Sequence, residues 1–295
     1  MSTREGSILS EICLSEADRR ELAEVASVVV GWSLDGPSIE ALRERAGQSE
    51  SLRSIGLDVR RRMREDGFAL VKNVPCSEDA ELVAFLGLIA IPSAPGNGDT
   101  LFFDISPSSS RSDDVSGTSA EFPLHTDSTF FSVPHDVLAL ACVRNSDSGG
   151  ESIIVRAADV ADRVRAIGGA DALAALGDQV YPFYLRDPLF GHGIQLVPIL
   201  VADGDEWCIR YRGDILAKLT ERFELDEVHR HALSVLNQVV AEPESGAVQV
   251  RLETDDLIIV DNRRALHART ALGPGERRLR RMKGYSLDNS AWRII

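Results

Sequence analysis

Three residues constrain what this chain can fold into more than any other feature: His125 and Asp127, in the tripeptide His125-Thr126-Asp127, and the distant His267. Side chains alternate along a strand with a period of two, so the two ends of the tripeptide point to one side. His267 follows residues 257–260, an apolar run typical of a buried strand. Two imidazoles and one carboxylate can occupy one face of an octahedral ferrous ion and leave three positions open. The pattern therefore predicts distant strands that converge on one metal ion, as in an oxygenase.

Arginines follow His267 at a distance that suits the binding of a carboxylate. Arg277, ten residues beyond His267, can return on an adjacent strand and present its planar guanidinium bidentately. Arg281 lies four residues further and shares a strand face with Arg277. The doubled arginines leave the register open by one residue, and we prefer this one because Arg277 and Arg281 then share a face with Leu279 between them. Arg278 and Arg280 would point to the other face, where they are predicted to be solvated at an edge of the sheet. The chain is thus predicted to bind a dicarboxylate beside the metal.

Together, these motifs resemble those of the Fe(II)/2-oxoglutarate-dependent dioxygenases of the taurine dioxygenase and clavaminate synthase superfamily. That superfamily has the pattern His-x-Asp/Glu, then Thr or Ser after a Gly-Gly pair, then Asp-Asn-x-x-x-x-His, then Arg-x-x-x-Arg. The corresponding elements in this chain are, in order, His125-Thr126-Asp127, Gly149-Gly150-Glu151-Ser152, Asp261-Asn262 with His267, and Arg277 with Arg281. The match covers residues 67–287, which is most of the chain.

The resemblance implies a role for each matching residue. His125, Asp127 and His267 correspond to the iron ligands. Arg277 corresponds to the arginine that holds the distal carboxylate of 2-oxoglutarate, and Ser152 to the hydroxyl residue that helps to hold it.

Three further residues are candidates for contact with the primary substrate. Arg281 corresponds to an arginine that often touches the substrate, and the alternative is a structural ion pair with one of the many acids. Glu121 lies four residues before His125, on the loop side of the site. Arg212 follows a predicted strand, where arginines are usually solvated.

The resemblance also implies the reaction. Fe(II), 2-oxoglutarate and O2 would hydroxylate an unactivated carbon of a small molecule, such as an amino acid or a natural-product intermediate, and release succinate and CO2. Catabolic attack on a small sulfonate or carboxylate is an alternative, and so are desaturation, epoxidation and cyclisation by the same iron chemistry. Asp127 argues against halogenation, because related halogenases have a small residue in its place.

Two readings from other classes remain open. A non-redox cupin-type metalloenzyme would have a similar barrel, but Arg277 counts against it. A non-catalytic protein that binds iron or 2-oxoglutarate is the other, and the intact set of ligands counts against it. Release of succinate would discriminate between them and the oxygenase.

The composition limits the classes of partner that the chain is expected to bind. The net charge of −14 over 295 residues argues against nucleic acid and an anionic membrane surface, which would repel the chain. A small-molecule substrate is therefore expected, and the oligomeric state stays open. The cysteines form no metal-binding or redox spacing and are predicted to be buried thiols of a reducing cytoplasm: Cys13, Cys76, Cys142 and Cys208. No signal peptide or membrane-spanning run is recognised, so a cytoplasmic location is expected.

The hydrophobic periodicity predicts an α+β fold: a double-stranded β-helix (jelly-roll) core braced by helices. Helices are expected at residues 15–32, 38–45, 51–64, 77–88, 157–167 and 225–240. Strands are expected at residues 67–75, 101–105, 136–143, 152–155, 194–201, 206–211, 247–252, 257–261 and 283–287. We expect one catalytic domain, 1–295, in which a helical segment (1–66) packs on a jelly-roll core (67–295). Within it, residues 92–122, rich in Ser, Gly and Pro, are predicted to be an active-site loop.

The remaining polar and aromatic candidates receive structural interpretations. Tyr181, Phe183 and Tyr184 are predicted to pack in the core rather than line the site. Four histidines lack a suitable partner in the sequence, and the last two are expected to be exposed: His135, His192, His229 and His231.

Overall fold

Two β-sheets form the centre of the fold. They are seen in a computed structural model that describes residues 11–27, 36–93, 101–106, 118–187, 190–242 and 247–287. Among these residues the larger sheet has the order β1 (Ile12–Cys13), β2 (Phe68–Lys72), β13 (Leu257–Asp261), β6 (Val137–Arg144), β15 (Arg278–Ser286) and β3 (Ala90–Ser93), and β4 (Phe103–Ile105) also pairs with β15. The smaller sheet has the order β12 (Val248–Val250), β7 (Ser152–Arg156), β14 (Ala265–Arg269) and β5 (Phe122–His125).

Helices cover the outer faces of both sheets. The N-terminal helices pack on the larger sheet through one apolar cluster: α1 (Glu16–Ser27), α2 (Gly36–Ala46), α3 (Glu50–Asp66) and α4 (Asp79–Leu86). The later helices pack against the smaller sheet through another cluster: α5 (Ala157–Ala175), α6 (Gly213–Thr220) and α7 (Glu227–Ala241). Two hairpins complete the described chain: β8 (Tyr181–Asp187) with β9 (Gly191–Val197), and β10 (Leu200–Asp203) with β11 (Glu206–Ile209).

Alternation along the central strands explains how both faces of the larger sheet are buried. In β13, Ile258 and Val260 belong to the cluster between the sheets, whereas Leu257 and Ile259 belong to the cluster under the N-terminal helices. A strand buried on both faces reads as an uninterrupted apolar run, as residues 257–260 do. The jelly-roll α+β fold expected from the sequence is therefore confirmed.

Several element boundaries differ from the predictions. The predicted strand 194–201 is two strands, because β9 ends at Val197 and β10 begins at Leu200. The predicted helix 157–167 continues as α5 to Ala175 through a kink at Gly169, whose φ of 78° only glycine adopts easily. The first predicted helix is α1, which ends at Ser27, and residues 28–32 lie outside the described residues.

Part of the predicted loop 92–122 is ordered by the larger sheet. Phe103 and Ile105 pair with Arg281 and Leu279 of β15, and Leu101 is buried in the core. Residues 94–100 and 107–117 of this stretch lie outside the described residues.

The structure also corrects two smaller predictions. Cys13 is exposed, although Cys76, Cys142 and Cys208 are buried, and all four are free thiols. Tyr181 and Phe183 are core residues as predicted, whereas the neighbouring Tyr184 is only half-buried. In none of the described segments is a helix both long and apolar enough to cross a membrane.

His229 is half-buried rather than exposed, because it lies between two carboxylates. Its Nε2 is 2.9 Å from Asp178 Oδ2 and its Nδ1 is 2.7 Å from Asp226 Oδ1. The hydrogen bond with Asp178, supported by that with Asp226, raises the pKa of His229 against the effect of burial.

This arrangement predicts a pH-dependent contribution of His229 to stability. A histidine whose pKa is raised on folding stabilises the fold below its unfolded pKa, and the contribution is lost as pH rises through the folded pKa. We expect His229→Gln to lower the midpoint of thermal unfolding by a few degrees at about pH 5.5, and by less at about pH 9. Differential scanning fluorimetry at both pH values measures this, and equal effects would contradict the assignment.

Candidate metal centre

His125 and His267 meet because their strands are neighbours in the smaller sheet. They are directly paired residues of β5 and β14, and their ring centroids are 4.2 Å apart. Asp127 follows β5, and the three residues are buried, with one ligand atom of each within 4.8 Å of the others. Residues separated by 140 positions thus form a cluster that can hold a metal ion.

Asp127 is not on a strand, contrary to the argument from the tripeptide. β5 ends at His125, and the side chain of Asn262 takes the place of a neighbouring strand for the residues beyond it. Asn262 Oδ1 accepts a hydrogen bond of 2.7 Å from the Asp127 amide, and its Nδ2 donates to the Asp127 carbonyl at 3.0 Å. Asn262 also donates to the carbonyl of His135 at 2.7 Å. It therefore fixes the backbone that carries the carboxylate.

Both histidines can present a ring nitrogen to a metal ion. His125 Nδ1 lies 2.9 Å from the Pro123 carbonyl, which fixes it as the protonated nitrogen and leaves Nε2 toward Asp127 Oδ1, 3.5 Å away. Burial, followed by the neighbouring His125, holds the pKa of His267 well below its usual range. His267 Nδ1 is buried and has no hydrogen-bond partner among the described residues. Neutral imidazoles are the form in which histidine binds metals.

Lys283 is a neighbour of the cluster that sequence reasoning missed. Its Nζ is 2.9 Å from Asp127 Oδ2, and Arg281 Nη1 is 3.8 Å from the same oxygen. Burial alone would raise the pKa of Asp127, but the positive charges of Lys283 and Arg281, with the His125 ring beside the carboxylate, together hold it well below its usual range. The signal in the sequence was the spacing, since Lys283 lies two residues beyond Arg281 on the same strand face.

Lys283 places a positive charge where it competes with a metal ion for Asp127. We expect Lys283→Met to increase the affinity for ferrous ion about tenfold, because the variant removes this repulsion. Anaerobic calorimetric titration measures the affinity, and Arg278→Met, an exposed arginine of the same strand, is the matched control. Weaker or unchanged binding by Lys283→Met would contradict this interpretation.

The cluster opens into a cavity of about 50 Å³ between the two sheets. Its lining combines apolar residues, including Ile105, Phe122 and Leu140, with the side chains of Ser152 and Arg277. Ser152 and Arg277 are 5% and 4% exposed, respectively. The sheets therefore place the predicted cofactor residues and the predicted metal ligands in one cavity.

Arg277 is a buried cation without a carboxylate partner in the described chain. Its Nε is buried and has no hydrogen-bond partner among the described residues. Burial, followed by the nearby Arg269, lowers the pKa of Arg277 to about 10. A buried charge is costly unless it is paired, so the cavity suits an anionic ligand.

The arginine register is the one preferred from the sequence. Arg277, Leu279 and Arg281 line the cavity, whereas Arg278 is exposed and pairs with Asp104 at 2.8 Å.

The prediction that Arg280 is solvated at an edge of the sheet is wrong. It is 6% exposed and lies on the other face of the sheet, where it pairs with Asp79. Its Nη1 donates to the Cys76 carbonyl at 3.1 Å, and its guanidinium lies 4.2 Å from the centroid of the Phe102 ring. The outer face of β15 is covered by α4 and the segment before β4, which the arginine run alone did not reveal.

The other two substrate candidates lie outside this lining. Glu121 is exposed and is not among the described residues that line the cavity. Arg212 pairs with Asp214 at 2.8 Å and lies 5.6 Å from the centroid of the Phe122 ring. Arg212 thus lies against Phe122, which lines the cavity, and is not itself among the described lining residues.

Two facing sheets, with two histidines and a carboxylate clustered at the cavity between them, define a jelly-roll protein with a mononuclear metal centre of the open-faced kind. Within this class, the chain belongs to the taurine catabolism dioxygenase TauD, TfdA family, whose family model matches residues 38–167 and 209–283. The matched residues include all three members of the cluster and both Arg277 and Arg281.

Individual relatives agree with this placement. The chain is 30% identical over 213 residues to dioxygenase str8 of Strobilurus tenacellus, a match that covers 70% of this chain and 48% of that protein. The chain thus spans about half the length of this curated relative. Among solved structures, an asparagine oxygenase superposes with a TM-score of 0.72 at 21% identity, covering 93% of both chains. The non-heme iron oxygenase OrfP superposes with a TM-score of 0.72 at 19% identity, covering 95% of this chain and 94% of OrfP.

Proposed function

We propose that this chain is an Fe(II)- and 2-oxoglutarate-dependent dioxygenase that hydroxylates an unactivated carbon of a small molecule. The observation that carries the proposal is the shared cavity, in which His125, Asp127 and His267 face the buried Arg277. Bound iron and 2-oxoglutarate would supply the oxidation: one atom of O2 enters the product, the other enters succinate, and CO2 is released. The two-nitrogen, one-oxygen donor set fits ferrous iron.

The residues of the chain would hold the metal, orient 2-oxoglutarate and exclude water from the reacting atoms. The two histidines and Asp127 would hold the metal, and Asn262 would keep the carboxylate of Asp127 in place. Arg277 would hold the distal carboxylate of 2-oxoglutarate with help from the Ser152 hydroxyl. Apolar residues of the lining would exclude water from the reacting atoms.

An amino acid or a related intermediate is the substrate class we favour. The solved relatives include an asparagine oxygenase bound to 3-hydroxyasparagine and OrfP bound to L-arginine. Arg281 lines the cavity beside Asp127, where it can receive the carboxylate of such a substrate. The family description, taurine catabolism, favours a small sulfonate as the second candidate. Desaturation, epoxidation and cyclisation use the same site and differ only in the product.

Succinate release tests the proposal. The protein is incubated with ferrous iron, ascorbate and 2-oxoglutarate together with a panel of L-amino acids and small sulfonates, and succinate is quantified by mass spectrometry. We expect at least one compound to stimulate succinate release and to gain one oxygen atom. The His267→Ala variant is the control for uncatalysed decay. Succinate release that never exceeds this control would contradict the proposed function.

We further propose that the chain acts as one catalytic unit in the cytoplasm. The N-terminal helices share an apolar cluster with the sheet that carries Arg281 and Lys283, which supports a single unit. The four free cysteines support a reducing compartment.

A further inference from the structure

A second buried arginine lines the cavity, and neither the motifs nor the proposed function gives it a role. Arg269 lies on β14, two residues after His267, and is 9% exposed. It pairs across the sheet with Ser152 of β7. Its Nη2 donates to the carbonyls of Thr118 and Ala120, at 2.7 and 2.5 Å. Arg269 is therefore held at the Ser152 end of the cavity by backbone oxygens.

Positive side chains predominate in the lining of the cavity. Among the described lining residues, three are arginines (Arg269, Arg277 and Arg281), and the single acid is Asp127. Asp127 is already 2.9 Å from Lys283. Buried like charges are costly unless an anion compensates them. Two neighbouring guanidiniums therefore suit a ligand whose far end carries a full negative charge.

The position of Arg277 indicates that both arginines lie at the same end of the cavity. A Cβ added at Gly150 would come within 3.4 Å of Arg277 Nε, so Arg277 lies against the glycine pair that precedes Ser152. Arg269 is opposite Ser152 on the next strand. Ser152, Arg269 and Arg277 thus surround one part of the cavity from three different segments.

We propose that Arg269 is a specificity-determining residue for the co-substrate: with Arg277, it selects a 2-oxo acid that carries a distal carboxylate over one that lacks it. This inference rests on the proposed 2-oxoglutarate site. The competing reading is that Arg269 only ties residues 118–120 to β14. A purely structural role would affect all 2-oxo acids equally, whereas a role in selection affects only the dicarboxylate.

The test compares two ligands of equal chain length on the Mn(II)-loaded protein, which binds without turnover. Calorimetry gives the dissociation constants of 2-oxoglutarate and 2-oxopentanoate, which lacks the distal carboxylate. We expect Arg269→Gln to weaken the binding of 2-oxoglutarate at least about tenfold and to leave the binding of 2-oxopentanoate unchanged. Arg269→Lys should keep most of the preference, and Arg278→Gln, at an exposed position, should keep all of it.

Two results would overturn the inference. One is equal weakening of both ligands by Arg269→Gln, as a structural role requires, and the other is no weakening of either. Arg277→Gln provides an independent measurement if Arg269→Gln does not fold. With Arg269 still present, it should retain a residual preference for 2-oxoglutarate, and loss of all preference would assign selection to Arg277 alone. A wild-type protein that binds neither ligand would contradict the proposed function itself, and the inference with it.

Discussion

Asp127→Ala is expected to lower the affinity for ferrous ion by about 100-fold or more, because the loss of even an outer-shell partner lowers metal affinity by about 10- to 100-fold. Asp127 is the only carboxylate among the three clustered ligand residues. Its loss also leaves Lys283 and Arg281 without the oxygen that faces them, so their charge would repel an incoming cation. Anaerobic titration against a chromophoric chelator measures the affinity.

The control for this variant is Asp104→Ala, which removes an exposed carboxylate paired with Arg278. It should bind ferrous ion like the wild type. Circular dichroism should show both variants folded, because Asn262 holds residues 127 and 135 through backbone groups that alanine retains. Unchanged iron affinity in a folded Asp127→Ala variant would remove Asp127 from the ligand set.

Arg277→Gln is expected to weaken the binding of 2-oxoglutarate by a factor on the order of 100 or more. The reason is that removing one partner of a buried charge pair costs about 2–5 kcal/mol. Arg277 is 4% exposed, so water cannot replace the lost interaction. Iron affinity should stay within about threefold of the wild type, because Arg277 is not part of the metal cluster. Calorimetric titration of 2-oxoglutarate into the metal-loaded protein measures the effect.

Arg278→Gln is the matched control, one residue away on the opposite face of the strand. Its side chain is 53% exposed and pairs with Asp104, so 2-oxoglutarate binding should not change. If Arg278→Gln weakened the binding of 2-oxoglutarate as much as Arg277→Gln does, the arginine register would be wrong by one residue.

The sequence contained enough information for the fold and for the cluster of ligands. The order of the motifs placed His125, Asp127 and His267 on converging segments, and the uninterrupted apolar run at residues 257–260 indicated a strand buried on both faces. Alternation with period two distinguished Arg277 and Arg281 from the arginines next to them.

Contacts between distant segments were beyond such reasoning. Asn262 could be recognised as a motif residue, but its hydrogen bonds to the backbone of residues 127 and 135 follow from how the residue after β13 meets the segment after β5. Lys283 was overlooked because a lysine on a strand is usually solvated, whereas here the opposite sheet brings Asp127 to its ammonium group. Arg280 was misassigned because the sequence does not say that α4 covers the outer face of β15.

Metal and 2-oxoglutarate are proposed to bind together in the cavity shared by the cluster and Arg277. Anaerobic titration of the wild-type protein with ferrous iron and then 2-oxoglutarate tests this claim directly, because the chelate has a weak charge-transfer band in the visible spectrum. We expect a band that requires both additions and is lost in Asp127→Ala. A folded protein that gives no band would contradict the claim and favour a cupin-type or non-catalytic metal protein.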